Sequence, residues 1–320
     1  MWNFSDEFNL RDISGHADLE FIDINLEKDT KLFLDPLLIE SNGDEWCKES
    51  NMILNNYFDN VFEAYKNNQK DLLYELFSFG REPNETFLGL SECEPKGKGN
   101  SADGLMKVFE DILNRGLMED SLIKKPMDLC VFVHDFAEDG MSDLVTNVLR
   151  KKLNEFTLAQ CEKYSIPVSD NKVEVGASWN SATQSWETVI DNVLLYEGKN
   201  ILLVPKNIVR KSYVYSVEKY LNKKILEHRQ RYHLQNNTSL TTLRKYKNGN
   251  EELMPPSKKT LRKVEMKDTD SKEFVTEYTK KNPKLIEEFR DEMYSKSNLG
   301  KYNLQDEELD EIVYGEDNWF

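Results

Sequence analysis

Residues 131–147 constrain this chain more than any other stretch. A wholly apolar run, Leu129-Cys-Val-Phe-Val133, ends in His134 and Asp135. Glu138, Asp139 and Gly140 follow, and a helical pattern opens at Ser142 with Asp143 and Asn147 one turn apart. A short run without a polar position reads as a strand buried on both faces. The segment therefore predicts a strand–loop–helix junction, where α/β proteins commonly place their chemistry.

The helix is expected to run over residues 142–164, with the Ser142 hydroxyl capping its first turn and Asp143 at the positive end of its dipole. At 100° per residue, Asp143, Asn147, Arg150 and Asn154 share one stripe, opposite Val145, Val148 and Phe156. Two readings of that stripe stand. It is a solvated helix face, or it is a site in which Asp139 and Asp143 hold Mg²⁺ while Asn147 and Arg150 orient a phosphate. His134 is a candidate general base or a hydrogen-bonded structural histidine.

The surrounding pattern predicts a mixed α/β (α+β) fold, a mixed sheet core with flanking helices and a basic helical C-terminal region. Alternation over residues 19–25 and 31–35 predicts a β-hairpin. Helical spacing covers 44–67, 71–79 and 101–113, and a short strand is expected at 85–91. Residues 173–179, 189–196 and 200–204 read as strands, the last two joined through Glu197-Gly198-Lys199. Beyond Lys206 the pattern becomes helical over 213–234 and again from Pro283 to residue 295. Residues 236–256, polar with Gly249 and two prolines, read as a flexible boundary. The organisation expected is a core at 1–205, a basic region at 206–299 and an acidic tail at 300–320.

Charge is the second constraint. The net charge is -16, yet residues 206–263 hold fifteen Lys or Arg against four Glu, a local balance of +11 that leaves -27 for the rest. Field steering depends on the local patch, so a polyanion remains a candidate partner. Lys206, Arg210, Lys211, Arg229 and Arg231 are the candidate phosphate contacts, with Tyr213, Tyr215, Tyr220 and Tyr232 as interleaved stacking surfaces. Residues 306–317 add seven acids and no base.

Two other segments carry candidate chemistry. In residues 91–101, Gly97 and Gly99 with Lys96 and Lys98 precede a helix, an arrangement that suits an anion cradle or a polar loop. Glu94-Pro-Lys96 fits the Glu-x-Lys of restriction-type nucleases, although proline suits a central strand badly. Asp29 and Asp35 come from the expected early hairpin, where an Asp at a strand end is a candidate metal ligand, or, for Asp35 before Pro36, a turn residue. The four cysteines never form Cys-x-x-Cys, which excludes a zinc or disulfide framework and leaves buried thiols. No apolar run reaches membrane-spanning length and the N-terminus lacks the basic and apolar regions of a signal peptide, so a soluble cytoplasmic protein with no membrane partner is expected.

Taken together, Lys31-Leu-Phe-Leu-Asp-Pro36, Leu88-Gly-Leu-Ser91, Ser142-Asp-Leu-Val-Thr-Asn147, Phe156-Thr-Leu-Ala-Gln-Cys161 and Leu202-Leu-Val-Pro-Lys-Asn-Ile-Val-Arg210 resemble a family of uncharacterised bacterial proteins over most of residues 30–210. The resemblance implies a setting, association with phage defence, and no mechanism. Three functions are left open. The first is a Mg²⁺-dependent nuclease. In it Asp139 and Asp143 bind the metal with Asp35 or Glu94, and Lys96, Lys98 and Lys206 neutralise the phosphate. The second is a non-catalytic nucleic-acid-binding or sensor subunit, with a partner protein from the same operon and a tail and basic region that regulate each other. The third is a nucleotide-handling enzyme using residues 97–101.

Overall fold

The computed structural model describes residues 3–80, 83–89, 102–118 and 122–315. The chain is mixed α/β, about 52% helix and 13% strand, and its strands lie in small antiparallel sheets with helices around them. It divides into two compact units that interleave in sequence. One comprises residues 1–111, 135–213 and 296–320, and the other residues 112–134 and 214–295.

In the first unit the long helix Glu45–Lys66 starts where the Asp44 carboxylate accepts the Cys47 N–H. Its buried residues, Cys47, Ser50, Leu54, Tyr57, Phe58, Val61, Ala64 and Tyr65, recur at intervals of three and four, which is the stripe a helix needs to cover a core. Tyr57 meets Trp179 and Trp186 edge-on, at ring-centroid distances of 5.2 and 5.6 Å. Those tryptophans are directly paired across the hairpin Val173–Asn180/Ser185–Asp191. Each ring nitrogen has an acceptor, Asn56 Oδ1 for Trp179 and the Leu76 carbonyl for Trp186. The hairpin bulges between Glu174 and Gly176.

The expected hairpin over 19–35 does not form. Phe33–Leu34 pairs antiparallel with Val209–Arg210, Phe21 bridges Pro205, and Thr30 bridges Leu88. Leu19, Phe21, Ile22, Ile24, Leu32, Phe33 and Leu34 are all buried, so these short segments pair with distant chain and are covered on both sides. The strand expected at 85–91 is replaced by a 3₁₀ turn at Asn84–Thr86, a left-handed Phe87 and the single bridge at Leu88. Its last two positions lie outside the described residues. The hairpin through Glu197 and Gly198 is present as Leu194–Tyr196 paired with Lys199–Ile201.

The helix expected from Ser142 is two helices, Glu138–Val148 and Arg150–Tyr164, meeting at Leu149. Residues 141–148 are all buried. The polar stripe therefore points inward: Asp143, Asn147, Arg150 and Asn154 are each less than a tenth exposed. Ser142 caps nothing; its hydroxyl accepts the Leu34 N–H at 3.0 Å.

In the second unit the apolar run at 129–133 is helical, Asp128–Phe132, and not a strand. Five apolar residues carry no periodicity, and the local hydrogen bonds decide the matter. The Asp128 carboxylate accepts the backbone N–H groups of Lys124 and Lys125, the Tyr215 hydroxyl and the Arg290 guanidinium, and is fully buried. Helical residues continue over 217–235, through a π-helical turn at Leu221–Ile225. Lys258–Leu261, Ser271–Lys281 and Lys284–Asn298 follow. The boundary expected at 236–256 is a third hairpin, Thr242–Lys245 with Glu251–Met254, turning at Asn248-Gly249. Asn-Gly between strands is a strong hairpin signal.

Phe289 lies between Tyr215 and Tyr220, at 4.9 and 5.1 Å between ring centroids, and is fully buried. Phe289→Ala is expected to destabilise this unit by about 3–5 kcal/mol. Urea denaturation followed by tryptophan-independent far-ultraviolet dichroism measures it, and a loss below about 1 kcal/mol contradicts this packing.

Candidate functional site

Two hydrogen bonds place the first carboxylate. Thr30 donates to the Phe87 carbonyl at 2.8 Å and Gly89 donates to the Thr30 carbonyl at 3.0 Å, which holds residues 29–30 beside 87–89. The second carboxylate comes from the helix Glu138–Val148, whose first turn carries Glu138 and Asp139 at the positive end of its dipole. At Gly89 a Cβ would lie 3.8 Å from Asp29 Oδ2 and 3.9 Å from Asp139 Oδ1. The two oxygens are thus no more than about 8 Å apart, and both side chains are half-buried. Gly89 leads directly into residues 90–101. Glu94, Lys96 and Lys98, and the glycines of the expected anion cradle, lie outside the described residues.

Arg150 fixes this arrangement from inside. Its guanidinium donates to Glu85 Oε1 at 2.9 Å, to Asn147 Oδ1 at 2.8 Å and to the Val175 carbonyl at 3.3 Å. Asn147 in turn donates to the Asp143 carbonyl. The bulge delivers Val175, and Gly176, at φ +124°, gives the arginine room: a Cβ there would lie 2.9 Å from Arg150 Cδ. Asn147 and Arg150, expected to orient a phosphate, make these bonds within the protein. Asp143 sits one turn inward from Asp139, 7% exposed.

Asp35 belongs to a different neighbourhood. Oδ1 accepts the Leu37 N–H as the N-cap of the helix Pro36–Ser41, and Oδ2 is buried without a hydrogen-bond partner. Arg210 Nε is 3.9 Å away. Burial outweighs that cation and the backbone N–H, and pushes the Asp35 carboxyl up to about 6. Burial also lowers the pKa of Arg210, whose guanidinium donates to the Tyr302 carbonyl and lies over the Tyr302 ring. Lys206 donates to the His16 carbonyl and to Asp306 Oδ1, at 2.5 and 2.6 Å.

Of the expected phosphate contacts, Arg229 and Arg231 lie in the second unit, and Arg229 is ion-paired. Arg229 grips both oxygens of Glu265 at 2.7 Å, and Lys223 and Lys224 face Glu292. Arg231 is exposed, as is Lys211 of the first unit. Of the four interleaved tyrosines, Tyr213, Tyr215 and Tyr220 are core residues; only Tyr232 is exposed, with Arg229 over its ring. Charge counting finds the cations but not their partners, which come from distant acids. His134 is paired with Asp270 at 3.3 Å and lies beside Arg115. Cys47, Cys130 and Cys161 are buried thiols, and burial pushes Cys161 up to about 11. Among the described residues, no group of three or more His, Cys, Asp or Glu gathers to hold a metal ion, and no helix is long and apolar enough to cross a membrane.

Arg150→Ala leaves Glu85, Asn147 and Val175 without their donor, and is expected to cost about 3–5 kcal/mol in urea denaturation. Asp35 gives a pH test. Its folded-state pKa is raised, so the folded chain holds this proton more tightly than the unfolded chain. That contribution is greatest below about pH 4, is lost as pH rises to about 6, and is level above. Asp35→Asn keeps the acceptor for Leu37 and removes the ionisation. Its stability relative to the parent is expected to grow by roughly 2–3 kcal/mol between pH 4 and pH 7. A difference that stays constant with pH contradicts the raised value.

No curated protein and no solved structure matches the chain. A family described as a domain of unknown function, DUF8370, matches residues 12–216, which include Asp29, Gly89, Asp139 and Arg150. That match spans more than half of the sequence, and the chain belongs to the DUF8370 family.

Proposed function

We propose that this chain is a metal-dependent phosphodiester hydrolase acting on nucleic acid, with its site at Gly89. The observation that carries the reading is the approach of the Asp29 and Asp139 carboxylates to that residue, at the entry to the segment holding Glu94, Lys96 and Lys98. Hard carboxylate oxygens suit Mg²⁺, and Glu94, which lies outside the described residues, is the candidate third carboxylate. Asp29 and Asp139 would hold a Mg²⁺ ion, which would supply Lewis-acid chemistry, polarising a phosphoryl oxygen and lowering the pKa of a water. Lys96 is the candidate to neutralise charge that develops on the phosphate. Arg150 acts as a positioning residue, because it ties Glu85 and hence residues 83–89 to the helix that carries Asp139. Asp143 supports that helix from within. The bacterial family resemblance extends the proposal to an anti-phage defence effector.

A non-catalytic nucleic-acid-binding or partner-protein subunit is the second reading. It is favoured by exposed cations in the second unit, among them Arg231, Lys247, Lys259 and Lys263.

Incubation of the purified chain with single- and double-stranded DNA and RNA, plus Mg²⁺ or Mn²⁺, separates the two. Cleavage is expected, with Asp29→Asn and Asp139→Asn each lowering it about 100-fold or more while the variants stay folded by circular dichroism. Cleavage insensitive to both substitutions removes the Gly89 site from the proposal. Salt-dependent binding with no cleavage under any metal favours the second reading.

A further inference from the structure

Residues 302–315 lie beyond the family match and belong to the first unit. Their helix, Asp306–Tyr314, carries Asp306, Glu307, Glu308, Asp310 and Glu311 and no base. Each of its polar attachments is to residues within 12–216. Asp306 meets the Lys206 ammonium at 2.6 Å. Asp310 Oδ1 accepts from the His16 backbone N–H at 2.9 Å and from its ring Nδ1 at 2.7 Å. Tyr314 donates to Asp23 Oδ2 at 2.8 Å and its ring lies beside that of His16. Just upstream, Tyr302 offers its carbonyl and its ring to Arg210. The receiving surface is shaped for the helix: at Gly15 a Cβ would lie 2.6 Å from Asp310 Oδ2.

The His16 imidazole is oriented by its neighbours. Nε2 accepts the Asp23 N–H at 3.1 Å, so the ring proton sits on Nδ1 and is given to Asp310. Apolar attachment is slight, since only Leu309 and Val313 of the helix are buried. The helix is held mainly by hydrogen bonds and by partly exposed ion pairs of the kind that stabilise weakly and yield to a competing anion. The two cations that residues 302–315 meet, Lys206 through Asp306 and Arg210 through Tyr302, are among those the sequence marks for phosphate. The docked segment leaves Lys206 only 24% and Arg210 13% exposed at the side chain.

We propose that residues 302–315 are an autoinhibitory strap. Docked, it covers Lys206 and Arg210 with carboxylate, carbonyl and aromatic ring; displaced, it exposes both cations to the phosphate backbone of a nucleic acid. This rests on the reading above that the chain's ligand is nucleic acid, and it adds a regulation that the hydrolytic site does not require.

The test uses the full chain, a fluorescein-labelled 20-nucleotide single strand, and EDTA, so that binding is read without cleavage. Asp306→Asn/Asp310→Asn keeps the shapes and removes two charges from the strap. Anisotropy is expected to show about tenfold tighter binding than the parent, a gain lost when Lys206→Gln is added. Hydrogen exchange of residues 306–314 in the parent chain is expected to rise when the oligonucleotide is added. Unchanged affinity in the double variant, or protection of 306–314 that saturating oligonucleotide leaves intact, overturns the strap. Metal-dependent cleavage with a strap that stays protected removes this proposal and leaves the hydrolase standing. Strap release with tighter binding, but without cleavage in any metal, does the reverse.

Discussion

The buried guanidinium of Arg150 is the interaction on which the candidate site depends. A cation that is 1% exposed requires acceptors that replace its hydration, and removing one partner of such a pair leaves the other uncompensated. Here the acceptors come from three places in the sequence: Glu85, Asn147 and Val175. Each is made available by a local irregularity or a polar residue in an otherwise apolar context. Glu85 sits in a 3₁₀ turn, Val175 in a β-bulge and Asn147 on a helix buried along its length. One ion thereby fixes the spacing of three segments that share no regular sheet. The Asp29–Gly89–Asp139 arrangement inherits its geometry from that fixation.

Much of the architecture was readable where the pattern was long and periodic. The helix at Glu45–Lys66 and the turn at Glu197-Gly198 follow from spacing and turn chemistry alone. The run at 129–133 did not, because five apolar residues suit a buried strand and a buried helix equally, and the choice rests on what Asp128 binds. The stripe of Asp143, Asn147, Arg150 and Asn154 departs from expectation for a related reason: polar residues are ordinarily assigned to solvent, and these are buried, with Arg150 donating to Asn147 and to Glu85, and Asn154 donating to the Asn192 carbonyl. Of the candidate site, Asp139 stood out from its place before a helix. Asp29 is legible only as an acid of the expected early hairpin, and its meeting with Gly89 is not, since Thr30 meets Leu88 across nearly sixty residues and no local pattern encodes that bridge.

The charge distribution shows the same division between what is countable and what is spatial. The surplus of cations over 206–263 is a property of the sequence, but Arg229, Lys258 and Arg262 are matched by Glu265, Glu227 and Glu218. The more exposed of these, Lys258–Glu227 and Arg262–Glu218, contribute little stability and are screened by salt. All three pairs reduce the local field, so the potential around the second unit is weaker and patchier than the tally implies.

The interleaving of the two units bears on how a ribosome can deliver this molecule. Residues 112–134 emerge early, yet Asp128 and Phe132 find Arg290, Tyr215 and Tyr220 only in chain made much later. The first unit likewise takes its last pieces from beyond residue 296. Vectorial synthesis therefore leaves both units unfinished until residues near 290 and beyond 296 have left the exit tunnel, with the carboxylate of Asp128 and the ring of Phe132 waiting for cover. A nascent chain of this topology has reason to need a chaperone during that interval, and a fragment cut at the family boundary would strand the same residues permanently.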